Sequence, residues 1–297
     1  MSARPLRERK TSILDIQKMY RQGHPFSMVT AYDYALARLV DAAGIEMILV
    51  GDSLGMVMMG LESTVPVTME EMLHHCRSVA RGAGNTFLVG DMPFMSYQVS
   101  REEAVRNAGR IMKEGGMDAI KLEGGQEVAA AVAAIDAAGI AVMGHIGLTP
   151  QSAAKLGGFR VQGKDAGGAL RLLEDALALQ AAGCFAIVLE AIPEPIAAAI
   201  TERLSIPTIG IGAGKGCSGQ VLVLHDMLGL IDGRTPRFVK QYARLHETIV
   251  AALATFRQEV LEEAYPAPEH TYPISEAAVS AFLEELAKAD ERHADGR

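Results

Sequence analysis

Residues 47–53, MILVGDS, and residues 86–92, TFLVGDM, decide the reading of the fold. Each is an apolar run that stops on Val-Gly-Asp and then presents a carboxylate, Asp52 in one case and Asp91 in the other. The runs are apolar at consecutive positions rather than at alternate ones, the pattern of strands covered on both faces. FSMVTAYD (26–33), DAIKLEGG (118–125), IAVMGHIG (140–147), FAIVLEA (185–191), IPTIGIGAG (206–214) and QVLVLHD (220–226) carry the same signal. Helical patterns such as TMEEMLHHCRSVARGAG (68–84) and REEAVRNAGRIMKEGG (101–116) lie between them, many closed by a glycine suited to a left-handed stop. Eight strands with intervening helices predict an α/β fold, a closed (β/α)8 TIM barrel. An open doubly wound sheet is the alternative.

The totals agree with a barrel and exclude several function classes. The chain has 297 residues, 49% hydrophobic and 22% charged, with 30 glycines and no tryptophan. A formal charge of −8 argues against nucleic acid as a partner, because phosphate neutralisation needs a basic face. Three scattered cysteines, Cys76, Cys184 and Cys217, fit a reducing compartment without disulfides or a zinc site. No window has the apolar length of a membrane span, so no membrane partner is expected. The basic start MSARPLRERKTS lacks the apolar core of a secretory signal, and a cytoplasmic location is the expectation.

Two segments interrupt the βα rhythm. Residues 54–67, LGMVMMGLESTVPV, are expected to form a lid or small hairpin, and 147–163 another long loop. Both follow strands, where loops build the active face of a barrel. The domain expectation is one barrel over 1–273, with a short N-terminal lead, then a helix and charged tail over 274–297. A long amphipathic helix is expected within RFVKQYARLHETIVAALATFRQEVLEEAYP (237–266).

In a parallel barrel the C-terminal strand ends share one rim, so polar residues that close apolar strands converge. These are Tyr32, Asp33, Asp52, Ser53, Asp91, Lys121, Glu123, His145 and Glu190. So many carboxylates in one low-dielectric place need a cation, since like charges otherwise drive their pKa values upward. Oxygen donors without a cysteine or histidine cluster favour Mg2+, with Asp52 and Asp91 as direct ligands. The alternative for both is helix N-capping. Lys121 and Glu123, two apart on one strand, face the same side. Lys121 is expected to neutralise an anionic group of the substrate, and Glu123 to bind the metal or orient its water; a mutual salt bridge is the alternative. His145 is either a core histidine or a supporting site residue. Glu190 closes an apolar strand, and burial there is expected to raise its pKa toward that of a general base, unless it merely starts a helix. The glycine-rich GIGAGKGCSG (210–219) matches neither a P-loop nor a dinucleotide fingerprint and reads as a tight turn.

Taken together, VTAYD, VGDSLGMVMMGLESTVPVT, VGDMPFMSY, KLEGG, GHIGLTPQS, LEAIP and the IGIGAG to GQVLVLHDMLG segment closely resemble the ketopantoate hydroxymethyltransferase family, from about residue 11 to about 273. The resemblance implies a barrel of the phosphoenolpyruvate/pyruvate type and a homodecamer built as a pentamer of dimers. It implies transfer of a hydroxymethyl group from 5,10-methylenetetrahydrofolate to 3-methyl-2-oxobutanoate, within pantothenate biosynthesis, by a magnesium-stabilised enolate. Carried over by position, it implies that Asp52 and Asp91 bind Mg2+, with Glu123 counted in the metal site. Ser53 and Lys121 would contact the 2-oxo acid with those two aspartates, and Glu190 would accept the proton. The competing functions are a folate-independent, magnesium-dependent lyase or mutase on the same barrel, and a non-catalytic small-molecule-binding protein.

Overall fold

The computed structural model describes residues 9–233 and 235–294. The basic residues 1–8 and the last three of the charged tail, both read from sequence above, lie outside the described residues. Eight parallel strands close into a barrel in simple sequence order, β1 to β8. They are β1 Phe26–Thr30, β2 Met47–Val50, β3 Phe87–Asp91, β4 Ala119–Glu123, β5 Val142–Gly147, β6 Ala186–Glu190, β7 Thr208–Ile211 and β8 Gly219–Leu222. Seven lie wholly within a stretch expected to be a strand, and β8 begins one residue before its stretch, at Gly219. Pairing of β1 with β8, Met28 opposite Val221, completes the ring and excludes the open sheet.

The helices of this unit are α1 Ile13–Arg21, α2 Tyr34–Ala42, α3 Leu54–Val57, α4 Met69–Gly82, α5 Arg101–Lys113, α6 Ala129–Ala137, α7 Ala166–Ala181, α8 Glu194–Thr201 and α9 Leu224–Leu228. Several start where the local chemistry demands it. Thr68 caps α4 by accepting from Glu71 N, while the Glu71 carboxylate reaches back to Thr68 N, which satisfies two otherwise orphaned donors. Asp33 is the N-cap of α2 and accepts from Leu36 N, so this strand-end carboxylate is structural. The segment after β2 holds the short α3 and turns rather than a hairpin. The loop after β5 carries one 3-10 turn at Pro150–Ser152.

Two apolar layers follow from the two-residue period of the strands. Phe26, Met28, Met47, Leu49, Phe87, Val89, Ala119, Met143 and Val188 fill the barrel interior. Their chain neighbours, among them Val29, Ile48, Leu88, Ile120 and Ile187, pack outward against the helices. The polar side chains of the rim are therefore carried on a packed plug. All three cysteines are free and buried. Among the described residues no helix is long and apolar enough to cross a membrane.

Leu245–Arg297 forms a second compact unit. Its described part contains α10 Leu245–Leu261 and α11 Glu276–Ala294. The expected long helix at its start is present, and Leu253 and Phe256 on it are exposed.

The glycine of the second Val-Gly-Asp has a packing reason. A Cβ on Gly90 would stand 2.5 Å from Ile111 Cγ2 and 2.9 Å from Met117 Cγ, inside van der Waals contact with buried residues. The close approach is to the α5 side of the strand, away from the rim. Gly90→Ala should therefore lower the unfolding free energy by about 1–3 kcal/mol, the usual cost of overpacking. Urea denaturation followed by far-UV circular dichroism reads this directly.

Candidate active site

Strand parity explains why five ionisable residues meet. Asp91, Lys121, Glu123, His145 and Glu190 each fall on the inward phase of their strands, continuing the interior rows that hold Val89, Ala119, Met143 and Val188. In register, Asp91 lies opposite Lys121, Glu123 opposite His145 and Gly147 opposite Glu190. Asp52 arrives differently. Val50 pairs with Gly90, so the two Val-Gly-Asp repeats are staggered by one residue, and Asp52 stands on the turn after β2. Its backbone N–H donates to Asp91 Oδ2 at 3.2 Å, which places the two aspartates side by side. Neither carboxylate caps a helix.

These groups are almost fully buried, and their charges govern one another. Lys121 Nζ lies 3.0 Å from Asp91 Oδ1 and 3.8 Å from Glu123 Oε1. The shorter contact is to Asp91, so the expected Lys121–Glu123 pair is one arm of a larger cluster. Burial opposes the ammonium charge, but Asp91, Glu123 and Asp52 outweigh it and raise the Lys121 pKa above its ordinary value. Burial, then the negative charges of Asp91 and Glu123, hold Asp52 well above the usual carboxylate range. Burial likewise raises Asp91, against the pull of Lys121. Glu123 shifts the other way: burial works against its charge, but the hydrogen bond from His145, with Lys121 and the Gln151 backbone N–H, holds it below the ordinary value.

His145 stands between two carboxylates. Its Nδ1 is 3.3 Å from Glu123 Oε1 and its Nε2 is 3.1 Å from Glu190 Oε2. Burial and the Lys121 charge both oppose protonation, yet Glu123 and Glu190 prevail and push the imidazole up to about 9. As an imidazolium it carries a proton on both nitrogens, although Nε2 meets Glu190 by charge without hydrogen-bond geometry, so its 3.2 Å approach to Lys121 Nζ is a contact between cations. Glu190 is thus not the isolated carboxylate in an apolar setting that its strand suggested. Its side chain keeps 16% exposure and its Oε2 faces His145. The strand is apolar, but the inward phase at its end faces a neighbouring strand's histidine.

Two residues outside the strand ends complete the cluster, and reading strand ends alone does not find them. Gln151, in the loop after β5, donates from Nε2 to Asp52 Oδ2 and to Met92 O, each at 2.9 Å. Its backbone N–H donates to Glu123 Oε2 at 3.0 Å. Tyr97, in the loop after β3, donates to Gln151 Oε1 at 2.8 Å and accepts from Glu123 N. Both lie in motifs that carry the family resemblance, VGDMPFMSY and GHIGLTPQS, but nothing in those motifs tells that the two side chains turn toward the cluster. On the other flank, Ser53 Oγ hydrogen-bonds the Tyr32 hydroxyl at 2.8 Å. Burial raises the Tyr32 pKa, so that hydroxyl stays protonated and can donate.

The donor set suits a hard divalent cation. Asp91 Oδ1 is buried and meets Lys121 without hydrogen-bond geometry, which leaves an acceptor lone pair unused. Among the described residues no three His, Cys, Asp or Glu side chains form a metal cage by themselves. Two adjacent carboxylates fit Mg2+, which takes one or two protein ligands and fills its shell with water and substrate oxygens. Both Glu123 oxygens are engaged by His145 and by the Gln151 N–H.

Residues 10–268 match the family model described as ketopantoate hydroxymethyltransferase. The chain belongs to that family of enzymes. It is 57% identical over 264 residues to the 3-methyl-2-oxobutanoate hydroxymethyltransferase of Heliobacterium modesticaldum, covering 89% of this chain and 96% of that one. It is 54% identical to the protein of the same name from Syntrophus aciditrophicus, at 89% and 97% coverage. Among solved structures, phosphonopyruvate hydrolase superposes with a TM-score of 0.59 at 14% identity, over 95% of this chain and 98% of that one. So does 2,3-dimethylmalate lyase of the PEP mutase/isocitrate lyase superfamily, with a TM-score of 0.56 at 13% identity, over 95% and 99%. At that identity the likeness is one of fold, a closed parallel (β/α)8 barrel.

Gln151→Ala would strip a hydrogen bond from Asp52 and leave the buried Tyr97 hydroxyl without its side-chain acceptor. We expect the unfolding free energy to fall by about 1–3 kcal/mol, the cost of stranding buried polar groups. Gln151→Glu should lose more at neutral pH than in acid, because it sets another carboxylate beside Asp52. Urea melts of both variants at two pH values check this.

Proposed function

We propose that the chain transfers a hydroxymethyl group to 3-methyl-2-oxobutanoate, giving 2-dehydropantoate for pantothenate biosynthesis, with 5,10-methylenetetrahydrofolate as the one-carbon donor. The overall reaction consumes one water and releases tetrahydrofolate. Family membership supports the acceptor and product, since relatives more than half identical carry the name of this activity. The observation that carries the mechanism is the charge balance at the rim. Asp52, Asp91, Glu123 and Glu190 oppose only Lys121 and the His145 imidazolium, so with every carboxylate ionised two negative charges are left over. A divalent ion restores neutrality.

Asp52 and Asp91 would hold that ion, Mg2+ by the chemistry of its donors, and Glu123 counts with them through its charge. When bound, the ion supplies Lewis-acid polarisation of the 2-oxo acid and stabilises negative charge on its keto oxygen. The remaining steps belong to side chains. Lys121 is a buried ammonium that neutralises the substrate's own charge, and Ser53, oriented by Tyr32, gives a second polar contact. Glu190 takes the proton from C3, and the C–H electron pair passes into the enolate. His145 holds Glu190 in place and, through Glu123, ties the base to the metal-side carboxylates. Hydrolysis of the donor by the one water breaks both bonds from its methylene carbon to nitrogen and gives tetrahydrofolate and formaldehyde. The enolate carbon then bonds to the formaldehyde carbon, whose C=O π pair passes to oxygen. That oxygen takes the proton from Glu190 and becomes the product hydroxyl. Partial exposure of Glu190, greater than that of Asp91 and Lys121, fits a base that must meet substrate.

Glu190→Gln tests this directly. We expect deuterium exchange at C3 of 3-methyl-2-oxobutanoate, followed by NMR without folate, to slow by about 100-fold or more, the worth of a positioned base. Substrate binding, measured by calorimetry, should persist. A variant that exchanges at the normal rate would remove Glu190 from the role.

A further inference from the structure

Gln151 governs how many carboxylate oxygens the rim can offer an ion. It is buried in the 3-10 turn after β5 that Pro150 begins, and both polar atoms of its amide are engaged. Nε2 donates its two hydrogens to Asp52 Oδ2 and to Met92 O, each at 2.9 Å. Oε1 faces the Tyr97 hydroxyl at 2.8 Å, whose proton it shares with Glu123 O. Turning the amide over would set Oε1 against two acceptors, so its orientation is fixed. The surroundings are fixed as well. Met92 N–H donates to Lys121 O at 2.8 Å, and burial, with the Glu123 charge, keeps the Tyr97 hydroxyl protonated.

The same residue withholds a second oxygen. Its backbone N–H donates to Glu123 Oε2 at 3.0 Å, while His145 Nδ1 faces Glu123 Oε1 at 3.3 Å. Asp91 Oδ2 is taken by Asp52 N–H at 3.2 Å. What remains is Asp52 Oδ1, which accepts no hydrogen bond among the described residues, and Asp91 Oδ1. The latter is buried without a hydrogen-bond partner, with Lys121 Nζ at 3.0 Å. Each Val-Gly-Asp repeat therefore presents a single free oxygen. That offer suits Mg2+, a small octahedral ion that takes one or two protein oxygens and keeps its waters. Ca2+ is larger, takes more oxygens and draws readily on carboxylates that bind through both of theirs.

We propose that Gln151 selects Mg2+ over Ca2+, by holding Asp52 Oδ2 away from the ion so that Asp52 binds through Oδ1 alone. The proposal rests on the metal-dependent reading above. Gln151 is a positioning residue in this role, since it touches Asp52 and not the ion. Without its amide, Asp52 is free to close on a larger ion with both oxygens, while the two oxygens that serve Mg2+ stay in place.

Calorimetry with Mg2+ and with Ca2+, on metal-stripped wild-type protein and on Gln151→Met, tests this; methionine nearly keeps the side-chain volume, and a thermal melt verifies the fold. The wild-type protein should bind Mg2+ more tightly than Ca2+. In the variant the ratio of the two dissociation constants should move toward Ca2+ by about tenfold, equivalent to about 1.4 kcal/mol. A merely structural loss would weaken both ions alike and leave the ratio unchanged, and that result overturns the proposal. So does a wild-type protein that prefers Ca2+. A crystal structure of the wild-type protein with Mg2+ gives a second reading, independent of whether the variant folds. It should show Asp52 on the ion through Oδ1 alone, with Gln151 Nε2 still on Oδ2; Asp52 bound through Oδ2 or through both oxygens overturns the proposal. Binding of neither ion by wild type would bring down the metal reading together with the selection, whereas Mg2+ binding with an unchanged ratio in the variant would remove only the role of Gln151.

Discussion

Everything at the rim depends on one constraint: carboxylates taken out of water must be matched by positive charge. Two unit charges a few ångströms apart in a buried site interact far more strongly than they do in bulk water. The barrel mouth holds Asp52, Asp91 and Glu123 almost fully buried, with Lys121 as the only permanent cation among them. The strain of that arrangement is visible in opposite shifts. The aspartates are pushed toward protonation, whereas Glu123, closest to His145, is held ionised. A fold that buries such a cluster at the end of a packed apolar plug gives up stability for an electrostatic device.

The same constraint divides labour between the two halves of the cluster. Asp52 and Asp91 lack sufficient counter-charge and form the part that wants an ion. Glu123, His145 and Glu190 form a carboxylate–imidazolium–carboxylate chain, with contacts of 3.3 and 3.1 Å, that orients the proposed base. Lys121 sits at the junction, in contact with Asp91 and near Glu123. Gln151 and Tyr97 bind the halves together, because Gln151 reaches Asp52 with its side chain and Glu123 with its backbone. Loss of any one of these shifts the protonation of the others, so the cluster acts as a unit.

Much of this was legible in the sequence, for a physical reason. Parallel strands buried on both faces read as continuous apolar runs; several of the eight carried that signal, and alternation with helical patterns marked the rest. Convergence of Asp91, Lys121, Glu123, His145 and Glu190 followed from strand ends sharing a rim. Three things were not legible. Gln151 and Tyr97 act from loops, where no periodicity tells which side chain turns inward. The surroundings of Glu190 depended on the residue opposite on the next strand, and register is not written in either strand alone. Gly90 is a glycine because of Ile111 on α5 and Met117 in the connection that follows it, a tertiary contact that the local pattern Val-Gly-Asp does not encode.

The most direct test of the central claim is binding of Mg2+ itself, measured by calorimetry on the protein stripped of metal. Saturable binding that strengthens as pH rises, and that disappears in the Asp52→Asn/Asp91→Asn double variant, is the predicted result, because the ion must displace protons from carboxyls held above their ordinary range. Binding that survives loss of both carboxylates, or no binding by the wild-type protein, would contradict the account.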